Sequence, residues 1–328
     1  MKKLAPMIAT VVVCAILLGA CGWRYGHDFL SLYNLTNLLN DGAYLGVIAV
    51  GSTFVILTGG IDLSVGSIMG LTTIIVATLV TKHGMHPALA IPIALGIGAV
   101  IGFVMGCVIQ FFELAPFLVT LGGLFFARGL TFLISVEGIE ISSKVSPAYG
   151  KLSEMGYEFH IGQQTGYLSG STIVFLAVVV IGTVVAYWTR FGRNVYAIGG
   201  GESSASLMGV PVGRVKIMVY TLSGFCAALG GVLNTMYKLS GDPNAGTGLE
   251  LDAISAVVIG GTLLTGGVGY VPGTLLGVLI LGIIQSAITY ENLISWWARI
   301  AIGVLLFVFI LLQKVLTGTT GLRRQLQK

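Results

Sequence analysis

Charge is scarce in this sequence. Of its 328 residues only 9% are Asp, Glu, Lys or Arg, where a soluble domain carries roughly 25%. Hydrophobic residues make up 55% of the chain and mean hydropathy is +0.95, and so few polar groups cannot cover a water-facing surface. A soluble enzyme, a nucleic-acid binder and a disordered scaffold are all excluded. Cysteine is also rare: Cys14, Cys21, Cys107 and Cys226 lie in or beside apolar runs, with neither metal-ligand spacing nor a disulfide framework. A phosphate-binding loop is missing, since the lone Gly-Lys pair, Gly150-Lys151, is followed by leucine. No file of acids or histidines follows the apolar runs, as a proton-driven pump would need. No catalytic triad and no metal site can be assembled either. Without an energy source of its own, the chain is a channel or the membrane part of an externally driven machine.

What is present is apolar sequence in long runs. A spanning helix needs about 20 mostly apolar residues, and such runs lie near 6–23, 42–58, 64–81, 88–110, 116–135, 169–189, 215–237, 251–267, 271–289 and 296–313. Barrel strands would alternate in polarity instead. The runs predict an all-α polytopic membrane protein of about ten spans, forming a single transmembrane domain over residues 1–328. The start, Met1-Lys2-Lys3 with Leu18-Gly19-Ala20-Cys21, imitates a lipoprotein signal but reads as a first transmembrane helix. With the N-terminus in the cytoplasm, Lys2, Lys3, Arg190, Arg193, Arg214, Lys216, Lys314, Arg323, Arg324 and Lys328 all fall inside, as the positive-inside rule asks. Both termini are then cytoplasmic.

Two polar segments interrupt the texture: residues 136–168 outside and 190–214 inside. Loops this long are more often functional than plain connectors, so both are candidate docking surfaces. An internal repeat is also visible. Thr58-Gly59-Gly60-Ile61, Gly66-Ser67 and Gly70 recur at one constant offset as Thr265-Gly266-Gly267-Val268, Gly273-Thr274 and Gly277. Each copy reads as a tight helix start, set by Gly59 and Gly60 or by Gly266 and Gly267. Asp62 and Ser64 suit an N-cap for a helix beginning near Val65, and Pro272 suits a first helical turn. Asp62 could instead be a ligand, but the second copy does without any acid. Small residues four apart, such as Gly98, Gly102 and Gly106, predict close helix packing.

Polar and aromatic residues inside the spans are candidates for a substrate pathway: Thr53, Thr58, Gln110, Asn234 and Gln285, with Phe125 and Tyr237 as stacking surfaces. Each could equally serve helix–helix packing. Arg128, deep in its run, favours a structural role.

The inner loop carries Glu202-Ser203-Ser204-Ala205-Ser206-Leu207-Met208-Gly209. An acid, small residues and a closing glycine resemble the coupling segment of ATP-binding-cassette (ABC) permeases. Residues 51–67, Val258-Ile259-Gly260-Gly261-Thr262 and Gly266-Gly267-Val268-Gly269 resemble the ribose-type simple-sugar permeases. Ser295-Trp296-Trp297 with Ile300-Ala301-Ile302-Gly303 is similar to the galactofuranose-importer branch. Gly201 and Ser203-Ser204 depart from the usual ribose-type pattern, which bears on the coupling contacts. The resemblance implies a bacterial inner-membrane importer with a second permease subunit, a double-cassette ATPase that binds ATP and Mg, and a periplasmic sugar-binding protein. This chain itself would hold no cofactor. Ribose or another simple sugar, a branched-chain amino acid, and a stand-alone channel are the alternatives.

Overall fold

The computed structural model describes residues 5–294 and 296–325, with side chains for 6–294 and 296–313. Lys2, Lys3, Ser295 and Lys328 lie outside the described residues, as do the side chains of Lys314, Arg323 and Arg324.

The long helices are α1 (Ala5–Tyr25), α2 (Leu32–Leu57), α3 (Val65–Ala77), α4 (Pro87–Phe111) and α5 (Pro116–Ile134). After a small far-side subdomain come α7 (Gly170–Trp188), the amphipathic α8 (Arg190–Gly200) and the short α9 (Glu202–Leu207). The chain closes with α10 (Val212–Lys238), α11 (Leu249–Ile259), α12 (Val271–Tyr290) and α13 (Trp296–Gln325). We call the membrane face at which α1 begins the near face, and the opposite one the far face. The helix starts follow from local chemistry. Ser31 and Ser169 cap α2 and α7 by accepting the amides of Asn34 and Thr172. Proline occupies the first turn of α4, α5 and α12, where its missing N–H leaves no bond unmade.

Nine helices among the described residues are long and apolar enough to cross a membrane. The predicted run 251–267 is not one of them. Its helical part, α11, ends at Ile259, and residues 260–270 form a glycine-rich loop. Before α11 the chain descends without helix: Gly241 lies against Thr73, Ala245 against Gly70 and Gly246 against Gly66. That crossing is therefore broken, half irregular turns and half helix. Non-helical backbone at this depth is tolerated because protein encloses it. Arg128 of α5 holds the segment, donating from one guanidinium nitrogen to the carbonyls of Pro243 (2.7 Å) and Ala245 (2.9 Å).

The centre of the bundle is α2, α3 and α10; of the best 18-residue window in each, 72%, 72% and 61% is buried, against 17% for α5 and for α13. Lipid is as apolar as leucine, so burial alone does not drive helices together; close packing does. Gly98, Gly102 and Gly106 bring α4 against the backbone of α10 at Gly224, Tyr220 and Ile217. The two copies of the repeat act alike. Gly66 and Gly70 admit the carbonyls of Gly246 and Ala245, while Gly273 and Gly277 admit those of Gly260 and Ala256.

The predicted outer loop 136–168 is a folded far-side subdomain. β1 (Ile139–Glu140) pairs with β4 (Ser240–Gly241), α6 (Pro147–Ser153) follows, and β2 (Gly156–Ile161) and β3 (Gln164–Ser169) form a hairpin. Tyr149 on α6 is buried and its hydroxyl bonds Thr235 of α10; burial pushes that hydroxyl up to about 12.

A bulky side chain at Gly102 has no room, because an added Cβ meets the Tyr220 carbonyl, whereas Gly96 on the same helix faces open space. Gly102→Val should lower stability by about 1–3 kcal/mol, read as a reduced thermal midpoint of the detergent-solubilised protein. Gly96→Val should leave the midpoint unchanged.

Candidate functional site

The repeat brings its two glycine turns into contact at the near face. Gly59, Gly266 and Gly267 have φ of +82°, +80° and +75°, backbone that glycine adopts without strain. The Gly267 amide donates to the Leu57 carbonyl at the end of α2 (2.9 Å). Gly199, near the end of α8, lies against both Leu57 and Gly267, where no side chain would fit. Gly60 is tight against Tyr220 of α10. Three segments far apart in sequence thus meet through backbone alone.

The same junction carries the near-face loop. Thr189 caps α8 by accepting the Gly192 amide (3.1 Å). Phe191 stacks on Phe54 of α2 with ring centroids 6.0 Å apart. The Tyr196 hydroxyl donates to the Gly269 carbonyl (2.8 Å), and burial raises its pKa. Arg190 and Arg193 face outward while Val195 and Ile198 face the protein, so α8 lies flat with one apolar face down. Gly201 turns the chain into α9, and Gly209 (φ +81°) ends it.

On α9, Ala205 is wholly buried, and Glu202, Ser203, Ser204 and Ser206 are exposed. Lys216 of α10 pairs with Glu202 at 2.6 Å, a solvent-exposed bond worth less than about 1 kcal/mol. At the tip Leu207 is 90% and Met208 72% exposed. Two bare apolar side chains thus form a knob at the tip of an otherwise polar, anchored helix. A cleft of about 430 Å³ beside it is lined by Gln110, Glu202, Ser203, Ser206 and Val212.

The residues proposed for a pathway do not form one group. Gln110 lies beside the knob, at the near end of α4. Thr53 is buried and shares a 2.8 Å bond with Thr274, joining α2 to α12. Thr58 donates to the Val55 carbonyl of its own turn, and Asn234 is buried in α10. Phe125 is 68% exposed on the outside of α5. Only Tyr237 and Gln285 come together. Tyr237 donates to Asp41 (2.8 Å), and Asp41, Tyr44, Asp252, Gln285 and Ser286 line a cavity of about 210 Å³ in the far half. Asp62 is not an N-cap: Ser64 holds that position without a side-chain bond. The Asp62 carboxylate accepts the Ser64 amide and hydroxyl (2.9 and 2.6 Å) and the Ser223 hydroxyl (2.7 Å), bracing the non-helical stretch before α3 against α10. Pro272 sits in the first turn of α12. Sequence reading passed over Asn40, whose side chain bonds Tyr167, Ser169 and Thr172 and ties the hairpin to α2.

An apolar bundle of long helices with a broken crossing and an exposed apolar knob at one face is a polytopic membrane protein. The family described as "Branched-chain amino acid transport system / permease component" matches residues 34–310. The inner membrane ABC transporter permease protein YjfF of Escherichia coli K12 is 46% identical over 96% of this chain and 94% of its own length. The ribose import permease RbsC of Bacillus subtilis 168 is 39% identical over 96% and 93%. The fructose import permease FruG of Bifidobacterium longum is 37% identical over 98% and 94%. No solved structure matches. The chain belongs to this family of ABC-transporter permeases, in its ribose-type branch. It is a multi-pass transport subunit, not an enzyme.

Replacing Gly267 by valine forces a β-branched residue to φ +75° against Gly199, at about 1–3 kcal/mol. Because α8 leans on this junction, its local opening should become more frequent. Tryptic cleavage at Arg193 should be faster in Gly267→Val than in the parent or in Gly122→Val, which faces open space.

Proposed function

We propose that the chain is one permease subunit of an ATP-driven sugar importer, and that its substrate is a neutral simple sugar of the galactofuranose type. The observation that carries the transport reading is the knob at Leu207 and Met208, anchored by Ala205 and continuous through α8 with the glycine junction. In this reading the knob seats in a groove of an ATPase subunit. ATP-driven closure of that partner, which holds the nucleotide and Mg, displaces α8 and α9, and the junction passes the displacement to α2 and α12. The transporter alternates between access from the two faces.

A sugar fits the far-half cavity better than an amino acid. Its two carboxylates, Asp41 and Asp252, accept bonds from sugar hydroxyls and repel a substrate carboxylate. Two basic groups reach this depth: Arg128 is engaged by backbone carbonyls, and Arg299 of α13, beside Gly248, is set against the carboxylate of Asp252. The galactofuranose assignment rests on the Trp296-Trp297 tail and its resemblance to that branch; the relatives' names speak of ribose and fructose. The far face, in this reading periplasmic, receives the sugar-binding protein. The hairpin offers Tyr157 and Ile161, both 64% exposed, with Tyr157 stacked on Phe159. A second, non-identical permease completes the membrane unit, and both termini are cytoplasmic.

Placing a charge on the knob leaves every buried contact intact. Leu207→Asp and Met208→Asp should abolish sugar-stimulated ATP hydrolysis by the reconstituted importer while membrane yield and pairing with the second permease stay normal. Stimulated hydrolysis at the parental rate in both variants would end the coupling assignment. The orientation has a separate check. A cysteine at Ser153 should react with an impermeant thiol reagent in intact spheroplasts, and one at Ser204 only after the membrane is opened.

A further inference from the structure

A large apolar groove in the bundle has no part in the mechanism above. α7 packs on α2 at Gly182, where a Cβ would meet Val50, and α4 packs on α10 through its glycines. Between α4, α7 and α10 this leaves a groove of about 800 Å³, floored by Val50, Phe54 and Cys226. Its walls are apolar: Phe103 from α4, Val178 and Ile181 from α7, Met218 and Phe225 from α10. Along α10 it runs from Arg214 to Leu229, about 22 Å, so it is longer than one leaflet's hydrocarbon depth of about 15 Å.

Its chemistry selects the occupant. A sugar would find one hydroxyl, that of Thr221, already bonded to the Ile217 carbonyl (2.8 Å). A partner helix would need small residues or interhelical hydrogen bonds, and Gly98, Gly102 and Gly106 are turned onto α10 instead. At the near end stands Arg214, exposed and in no ion pair among the described residues. Beside it α8 carries Arg190 and Arg193 on its outward face, and Trp188 at the end of α7 is 72% exposed, as at a membrane–water interface. We infer that the groove is a binding site for one anionic phospholipid, its acyl chain against Phe103, Ile181 and Phe225 and its phosphate at Arg214.

The site also bears on coupling. The lipid would touch Phe191, which lines the groove at the start of α8 and stacks on the buried Phe54, and the first turn of α10. Both anchors of the 190–211 loop then depend on the occupant, and anionic lipid becomes a condition for full coupling.

The test uses the intact importer purified in mild detergent. Bound phospholipid per copy is counted by native mass spectrometry after exposure to equal phosphatidylglycerol and phosphatidylethanolamine. The parent should retain one phospholipid in this chain, enriched in phosphatidylglycerol. Arg214→Gln should reduce that enrichment by about fivefold, the contribution of one basic group near the surface. Thr221→Trp and Ala99→Phe, which fill the groove from opposite walls, should release the lipid with the permease pair still assembled. They should also lose the gain in stimulated ATP hydrolysis that phosphatidylglycerol gives the parent in phosphatidylethanolamine vesicles. Undiminished lipid in both filled variants, or unchanged enrichment in Arg214→Gln, would overturn the site. Dissociation of the permease pair by both filled variants would assign the groove to the partner chain instead.

Discussion

Everything in this bundle depends on backbone approaching backbone. In a bilayer no solvent pushes apolar helices together, so stability comes from contact distance and from leaving no peptide group unpaired. Glycine supplies the first and enclosed turns supply the second. The contact of Gly199 with Leu57 and Gly267 expresses this, since three chain segments share one point with no side chain between them. Such a point cannot be compressed, but it can pivot. A displacement arriving along α8 therefore has two outlets, α2 and α12.

The broken crossing shows how costly the alternative would have been. Residues 242–247 run at depth in turns outside any helix, and Arg128 takes two of their carbonyls, those of Pro243 and Ala245. A half-buried guanidinium and non-helical turns at this depth would each be unfavourable alone. Together they satisfy one another, and Gly66 and Gly70 make the room.

The sequence discloses composition better than direction. Apolar runs placed nine helices, because length and hydropathy are one-dimensional properties. The run 251–267 misled for the same reason: its apolar texture continues through Gly260, Gly261, Gly266 and Gly267, where the chain is a loop enclosed by protein. Asp62 looked like a local cap since its partner Ser223 is 161 residues away. Thr53 and Gln110 looked equivalent as polar residues in spans, yet one joins two helices and the other borders α9. Hydropathy carries no information about which neighbour a face meets. Asn40 went unnoticed because a polar residue near a helix start resembles ordinary interfacial sequence. The short helix Glu202–Leu207 and its closing Gly209 were legible because a loop helix has few neighbours and its signals are consecutive residues.

α2 deserves a mechanical reading. It is an unbroken rod of about 39 Å, with Asn40 gripping the hairpin towards one end and Leu57 bonded into the junction at the other. Whatever loads the hairpin is felt by the same rigid body that the near-face loop would move in the proposed mechanism. Two sites that bias one body are thermodynamically linked, and linkage has no preferred direction. If a soluble receptor resting on the hairpin favours one position of the rod, the state of the opposite face must alter the grip on that receptor by the same factor. Signal and response are then one equilibrium seen from its two ends.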